Sequence, residues 1–467
     1  MLPEEFKNRM MKLLGDEKYH LLEESVSRDA VSALRLNPLK KTSPGSADIK
    51  ALMNLEQIPF EETGYYYDRE CMPGRRPFHD AGVYYIQDPG AMIPGAVMTQ
   101  SNFFRKLNES GKGLRVIDLC ASPGGKSTQI AQAMAGKGIL FANEINKARA
   151  EVLAGNIERM GITNAVVTNE NTDKLAERFE GYFDAVIADA PCSGEGMFRK
   201  DSEAIAQWSV ENVNACEERQ KTILENAYRM LRPGGILVYS TCTFEKEENE
   251  DRVSDLLESH PDMELEDISY IRDRAPGSGA GFDGCEKAIR LMPMDFKGEG
   301  QFASLMSKKG ESEQSLPYGG FENCSKVKDI KALETFLNNS LSKEASAKIL
   351  ASKDRFKMFG DNLYIMPEDT PSLSGLKVLR CGLCIGTFKK DRFEPAHALA
   401  LTLGKEDVKL YADFDEENAE AYVRGMTLEG DGNGWCLVGV CGYSLGWGKA
   451  SGGRIKNHYP KGLRIVG

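Results

Sequence analysis

Five short apolar runs, separated by amphipathic stretches, organise the middle of this chain. Val116–Leu119, Ile139–Asn143, Ala165–Thr168, Ala185–Ala188 and Ile236–Ser240 each read as a strand buried on both faces. Between them, Lys147–Met160 and Glu211–Leu231 carry apolar residues at helical spacing. Alternation of this kind from 85 to 310 predicts a mostly parallel, Rossmann-like α/β sheet covered on both faces. Arg232-Pro233-Gly234-Gly235 is expected to end a helix and turn the chain into the fifth strand.

The pattern changes on either side of this region. Phe6, Met10, Leu13 and Leu14 lie at helical spacing near the start, ahead of the run Ala33-Leu34-Arg35-Leu36-Asn37-Pro38, so 1–84 reads as a separate N-terminal unit. Lys308 to Ser315 reads as a polar linker, 321–372 as a small helical subdomain, and 373–467 as a glycine-rich domain of short strands such as Trp435–Val440. There is no internal repeat.

Composition narrows the class. A length of 467 residues suggests about three domains, and 41 % hydrophobic residues are enough for sizeable cores. No apolar stretch approaches the roughly 20 residues that span a bilayer. The start, Met1-Leu2-Pro3-Glu4-Glu5-Phe6, lacks the basic and apolar regions of a signal peptide. Eleven cysteines without regular spacing point to a reducing compartment. The expectation is a cytoplasmic, monomeric protein without a membrane partner.

The net charge of −11 argues against a nucleic-acid partner on average. Its distribution argues otherwise. Tyr443–Gly467 contains Lys449, Arg454, Lys456, Lys461 and Arg464 and no acid, whereas acids concentrate in Glu245–Asp255 and Asp413–Glu420. Trp447, His458 and Tyr459 are interleaved with these cations and could stack on unpaired bases, giving a local RNA footprint. The plainer reading is a solvated β-edge whose lysines discourage aggregation.

Candidate chemistry gathers at the strand ends, where doubly wound sheets bind ligands. Cys192 follows one strand in Asp189-Ala190-Pro191-Cys192-Ser193-Gly194, and Cys242 follows the next in Ser240-Thr241-Cys242-Thr243-Phe244. Upstream, the turn Cys120-Ala121-Ser122-Pro123-Gly124-Gly125-Lys126 follows the first strand. The second strand ends in Asn143-Glu144, where an acidic side chain can accept both ribose hydroxyls of an adenosine ligand. The turn lacks the dinucleotide glycine pattern, which suits S-adenosylmethionine better than NAD. Two thiols beside such a ligand fit methylation of a pyrimidine at carbon 5. That carbon becomes nucleophilic only after a thiolate adds to carbon 6, and thiolate is strongly nucleophilic near neutral pH. Asp118 could orient the glycine turn or touch the ligand, and Lys126 taken alone could be a solvated helix residue. Cys120 reads as a packed residue of the turn.

These motifs, with Tyr85-Ile86-Gln87-Asp88-Pro89, Arg290-Leu291-Met292-Pro293, Arg392–Leu399 and Leu445–Lys449, occur in an order that resembles the RNA 5-cytosine methyltransferases of the Nop2/Sun family. Within that family they are most similar to the bacterial ribosomal RNA branch called RsmF. The resemblance covers nearly the whole chain. It implies an α/β fold: a Rossmann-like S-adenosylmethionine-dependent methyltransferase domain, a small N-terminal α/β domain that positions RNA, and a C-terminal PUA-like RNA-binding region. It assigns attack to Cys242, proton removal or product release to Cys192, and a role in cofactor binding or in poising the thiolate to Lys126. It maps cofactor contacts onto Cys120 to Lys126, Glu144, Asn171 and Asp189, with Asn171 replacing the more usual aspartate. The implied partner is small-subunit ribosomal RNA, with transfer RNA as the alternative. A DNA cytosine methyltransferase and a non-catalytic ribosome-assembly factor are the competing classes. Cys381, Cys384, Cys436 and Cys441 resemble a zinc set only loosely, since the second pair is spaced C-x4-C, and no metal is expected.

Overall fold

A ten-stranded sheet forms the centre of the molecule in this computed structural model, which describes all residues except 1, 43, 312–316, 318, 328–329, 391 and 465–467. From one edge its strands run Ser278–Ala280, Ile289–Leu291, Gln301–Lys308, Leu231–Thr241, Phe183–Asp189, Arg115–Asp118, Ile139–Asn143, Ala165–Thr168 and Val378–Cys381. Met263–Glu266 pairs off this path with Gln301–Lys308. The five strands expected from the apolar runs are mutually parallel. Gln301–Lys308 runs antiparallel beside the last of them. Strand order reverses around Arg115–Asp118, which has the second strand on one side and the fourth on the other, so a crevice opens there.

Both faces of the sheet are packed, which explains why its strands are apolar throughout. Val116, Leu140, Val167, Ile187 and Val238 face one core, and Ile117, Phe141, Val166, Val186 and Tyr239 face the other. The long helix Val210–Met230 is started by Ser209, whose hydroxyl accepts the Asn212 N–H. Arg232-Pro233-Gly234-Gly235 lies inside the strand and does not precede it. The strand begins at Leu231, and pairing with the fourth strand jumps from Phe183↔Leu231 to Ala185↔Ile236, with Gly234 at φ 77°. The loop signal was a bulge, which a proline without an N–H and a glycine at positive φ both favour.

The N-terminal segment divides in two. Helices Glu4–Leu14 and Asp16–Val26 pack on Phe198, Trp208, Phe244 and Met292 of the central domain. Phe6, fully buried, meets the Phe198 and Trp208 rings edge-on at 5.2 and 5.6 Å. Residues 33–86 instead form a four-stranded antiparallel sheet. That sheet shares an apolar core with the C-terminal strands, through Leu34, Tyr65, Phe78 and Tyr84 against Tyr422, Val438 and Tyr443.

The expected helical subdomain at 321–372 is corrected. Two helices, Ile330–Ser340 and Lys343–Ala351, precede a hairpin of Phe356–Phe359 and Asn362–Ile365. Asn362–Ile365 pairs with Leu383–Lys389, so one sheet crosses the expected boundary at 372. The missed signal is Gly360-Asp361, a hairpin turn with Gly360 at φ 59°. Val378–Cys381 leaves this region to edge the central sheet. Part of the expected linker, 312–315, lies outside the described residues. The last sheet joins Tyr411–Phe414, Gly434–Val440, Tyr443–Ser451, Arg454–Asn457 and Leu428–Glu429. Among the described residues, no helix is long and apolar enough to cross a membrane.

Candidate active site

The turn after Arg115–Asp118 leads into helix Gly125–Met134 with Gly124 at φ 115°, a conformation that L side chains rarely adopt. The first-turn N–H groups of this helix therefore face the crevice. Asn143 ties the floor together: its amide nitrogen donates to the carbonyls of Leu119 and Glu170, and its oxygen accepts from the Thr168 hydroxyl. Ala121 is held by its N–H to the Asn143 carbonyl at 2.8 Å. The Ser122 hydroxyl donates to the Arg149 carbonyl, and the Pro123 carbonyl accepts from Asn156.

Two carboxylates stand at the strand ends beside the crevice. Glu144 is 4 % exposed; it accepts the Asn146 N–H at 2.8 Å, and Arg149 approaches to 3.4 Å. Asp118 accepts from Ser127 at 2.6 Å, while its other oxygen is buried with no hydrogen-bond partner among the described residues. Burial pushes the Asp118 carboxyl up to about 7. Acceptors at the ends of the first two strands fit the hydroxyl and ammonium donors of S-adenosylmethionine. Asn171 caps helix Thr172–Arg178 by accepting the Lys174 N–H and is exposed at the rim. Burial, then the charges of Asp118, Asp189 and Glu144, hold the Cys120 thiol far above its usual range, so it stays neutral.

The two predicted thiols meet. Asp189 and Ser240 are paired in adjacent parallel strands, so the loops that follow run side by side. Cys192 Sγ lies 3.3 Å from Cys242 Sγ and also accepts the Cys242 N–H at 3.3 Å. The hydrogen bond with Cys242, then burial, raises the Cys192 thiol well above its usual range. Lys126 sits beside them, its ammonium 2.7 Å from Asp189, whose other oxygen accepts from the Ser240 hydroxyl. Burial opposes the charge on Lys126, but Asp189, Asp118 and Cys242 outweigh it, and the ammonium persists. The Gly196 N–H donates to the Cys242 carbonyl at 2.8 Å; a Cβ there would come within 2.7 Å of that oxygen, so glycine is required.

Several contributors were not read from the sequence. Arg35, fully buried, reaches from the N-terminal sheet to the cofactor turn. It donates to the Gly125 carbonyl and the Thr128 hydroxyl at 2.8 Å, and to Gln87 and Gln132. Burial lowers it to about 10, still charged at neutral pH. The available signal was a lone cation inside the apolar run Ala33–Leu36, since a buried arginine requires partners. Ser193, Glu195 and Glu248 form a buried polar cluster behind the thiols.

The C-terminal cations are rearranged. Lys449 and Lys456 are cross-strand partners on an exposed face, next to Trp435, which also pairs with Lys449. Arg454 and Lys461 are exposed as well. Arg464 is half-buried, and its guanidinium donates to the Tyr459 carbonyl and to Asn457. Trp447 and Tyr459 are corrected, being 2 % and 3 % exposed. The Trp447 indole donates to the Ala396 carbonyl, and the Tyr459 hydroxyl bonds Asp80, so neither ring can stack on a base. His458 remains exposed, 4.6 Å from the Trp435 ring. The cysteines considered for zinc fall into different cores: Cys381 under the central sheet, Cys436 with the N-terminal sheet, and Cys384 beside the helices at 330–351.

A reversing parallel sheet with an antiparallel strand beside its last member, a glycine turn and acceptors at its first strand ends define an S-adenosylmethionine-dependent methyltransferase, here with paired thiols. The family model described as 16S rRNA methyltransferase RsmB/F matches residues 107–307. Those for the RsmF N-terminal domain, first C-terminal domain and PUA domain match 2–89, 335–403 and 409–465. The chain belongs to the RsmB/F family of rRNA methyltransferases, with the domain set of its RsmF members. Similar relatives include the ribosomal RNA small subunit methyltransferase F of Vibrio vulnificus, 33 % identical over 88 % of this chain and 85 % of the relative. That of Shewanella sp. strain MR-7 is 30 % identical over 94 % and 92 %. Among solved structures, a methyltransferase homolog protein from Pyrococcus horikoshii aligns with a TM-score of 0.54 at 26 % identity, covering 66 % of this chain and 95 % of that one. NSun6 from Pyrococcus horikoshii, crystallised with SFG, shares the fold at TM-score 0.54 and 20 % identity, covering 66 % and 99 %.

Proposed function

We propose that this chain methylates carbon 5 of a cytosine in small-subunit ribosomal RNA through a covalent adduct at carbon 6. The observation that carries this reading is the 3.3 Å pairing of Cys192 and Cys242 at the ends of adjacent strands, beside Lys126. The proton of the thiol pair resides on Cys192, whose thiol is raised by its hydrogen bond with Cys242. Cys242 is the attacking sulfur in this reading, and the Lys126 ammonium, which interacts with it, stands beside it.

Cys242 forms a sulfur–carbon bond at carbon 6, and the π electrons move to make carbon 5 a nucleophile. The 120–126 turn, Glu144, Asn171 and Asp189 would hold S-adenosylmethionine, which when bound would supply an electrophilic methyl group to that carbon, its sulfur–methyl bond breaking to leave S-adenosylhomocysteine. Once Cys242 is bonded to carbon, its charge no longer opposes ionisation of Cys192. Cys192 can then lose its proton to solvent and, as thiolate, take the one on carbon 5. The electrons of that carbon–hydrogen bond restore the double bond and expel Cys242 as thiolate.

RNA is held in part by the exposed face of Lys449, Lys456, Trp435 and His458, with Arg454 and Lys461 at its margin. The protein acts as a monomer in the cytoplasm, the first point testable by light scattering. The decisive experiment supplies labelled S-adenosylmethionine with small-subunit rRNA, transfer RNA or duplex DNA, followed by bisulfite sequencing of the product. New 5-methylcytosine in small-subunit rRNA is expected. Methylation confined to transfer RNA or DNA would overturn the substrate, and no transfer to any RNA would restore the assembly-factor reading.

A further inference from the structure

Behind the two thiols, the Ser193 hydroxyl meets two carboxyl groups. It lies 2.7 Å from Glu195 Oε1 and closer still to Glu248 Oε1, with the Thr243 hydroxyl at 3.0 Å. Glu195 is 1 % exposed, Glu248 fully buried and Ser193 5 % exposed. Among the described residues, neither carboxyl has a cationic ion-pair partner within 4.0 Å. A serine hydroxyl has one hydrogen and cannot donate to both carboxylates. Two buried like charges across one oxygen are unfavourable unless a proton is added.

The surrounding donors show which group takes it. Glu195 Oε1 accepts the Trp208 indole N–H at 2.5 Å, and its Oε2 accepts the Phe244 N–H at 3.3 Å, so both oxygens act as acceptors. Glu248 Oε2 accepts from Gln220 at 2.7 Å and from the Ser193 N–H at 3.1 Å. Its Oε1 faces chiefly the Ser193 hydroxyl, with the same Ser193 N–H at a marginal 3.4 Å. One direction satisfies every short hydrogen bond: Glu248 Oε1–H donates to Ser193, Ser193 donates to Glu195, and Glu195 is the anion.

We propose that Glu248 carries this proton in the working enzyme and that the resulting chain, Glu248 to Ser193 to Glu195, is a positioning device that locks the two cysteine loops together. Ser193 adjoins Cys192, and Phe244 lies two residues beyond Cys242, so the chain bridges the two loops. It does not touch the base or the cofactor. The proposal rests on the two-thiol reading only for its effect on turnover.

The setting favours a neutral Glu248. Burial, then the charge of Glu195, pushes its carboxyl up to about 7, against the Ser193 and Gln220 bonds. The titratable groups facing it are Glu195 and Cys192 on the turn, Cys216 on the 210–230 helix, and Tyr239, whose hydroxyl donates to the Glu248 carbonyl at 2.5 Å. Glu245 lies beyond Glu195 and is bound by Arg9. A carboxyl raised in the folded state stabilises the fold fully below its unfolded value near 4.5, and that contribution is lost as pH rises through about 7.

Glutamine imitates the neutral acid: its NH2 can donate to Ser193 while its oxygen accepts from Gln220 and the Ser193 N–H. Glu248→Gln is therefore expected to be active and to keep its turnover at alkaline pH. Wild-type kcat should fall about tenfold per pH unit above the transition of Glu248. Glu195→Gln forces an amide N–H against Trp208 or Phe244 and should lower kcat at least tenfold at every pH, with little change in KM. Glu248→Ala should lose turnover without an alkaline limb. Infrared spectra should show a protonated-carboxyl band at neutral pH that Glu248→Gln removes. Equal damage from both glutamine variants, damage confined to Glu248→Gln, or a band unaffected by that change would overturn the proposal. The band does not depend on which RNA is methylated, so it fails separately from the functional reading.

Discussion

The strand ends that carry Cys192 and Cys242 and the hairpin Tyr443–Ser451/Arg454–Asn457 both present polar and reactive side chains in short stretches of sequence. They differ in how the fold disposes of those side chains. In the central sheet, parallel strands in register bring two residues, 50 positions apart, to 3.3 Å, because each follows directly after one of two paired strands. In the hairpin, alternation sends Ala450 inward and its neighbours Lys449 and Ser451 outward, while Trp447, on the same face as Lys449, is covered by Phe336. The strand-end thiols share one destination, whereas the hairpin residues were split between the core and water. Loop residues at strand ends keep their chemistry in view; strand residues keep it only where nothing packs over their face.

The sharpest break of that comparison is at the thiols. Cys242→Ala is expected to lower methyl transfer by at least about a thousandfold and to abolish covalent attachment to RNA. Cys192→Ala should still attack and accumulate a protein–RNA band on denaturing gels. A band from the Cys242 variant and none from the Cys192 variant would exchange the two roles.

In the hairpin, two residues of one face with opposite fates separate its covered part from its open part. Trp447→Ala should destabilise the protein by about 3–5 kcal/mol, as loss of a buried aromatic does. Lys449→Ala should change stability by less than about 0.5 kcal/mol. Urea unfolding checks both, and equal effects would show that the covered and open parts of this face are misassigned.

In the crevice, Glu144→Ala removes an acceptor for charge-neutral hydroxyls and should weaken S-adenosylmethionine binding at least about tenfold by calorimetry. Unchanged affinity would remove Glu144 from the ribose site. The smallest effect is expected at the exposed lysines. Replacing Lys449, Lys456 and Lys461 together by alanine should lower the slope of log affinity against log salt by about 0.7 for each phosphate that the lysines had neutralised. S-adenosylmethionine affinity should stay the same, and an unaltered slope would place RNA elsewhere.

Much of this architecture was legible in the sequence. Period and length marked the five parallel strands, because a strand buried on both faces must be apolar throughout. Glycine and proline marked the cofactor turn, and position after a strand marked both cysteines and Glu144. The hairpin at 356–365 was hidden in a stretch read as helical, and the bulge at 232–235 was read as a loop, since the same residues serve both. What the tertiary structure alone decided were the pairings between distant segments. Arg35 reaches the Gly125 carbonyl, Phe6 fits against Trp208, and the N-terminal sheet fuses its core with the C-terminal strands. So too with Glu195 and Glu248, unremarkable acids in sequence that meet at one serine hydroxyl. Local sequence sets a residue's conformation and its face. Its partner, and with it the charge state of a buried group, depends on which remote surface packing brings against it.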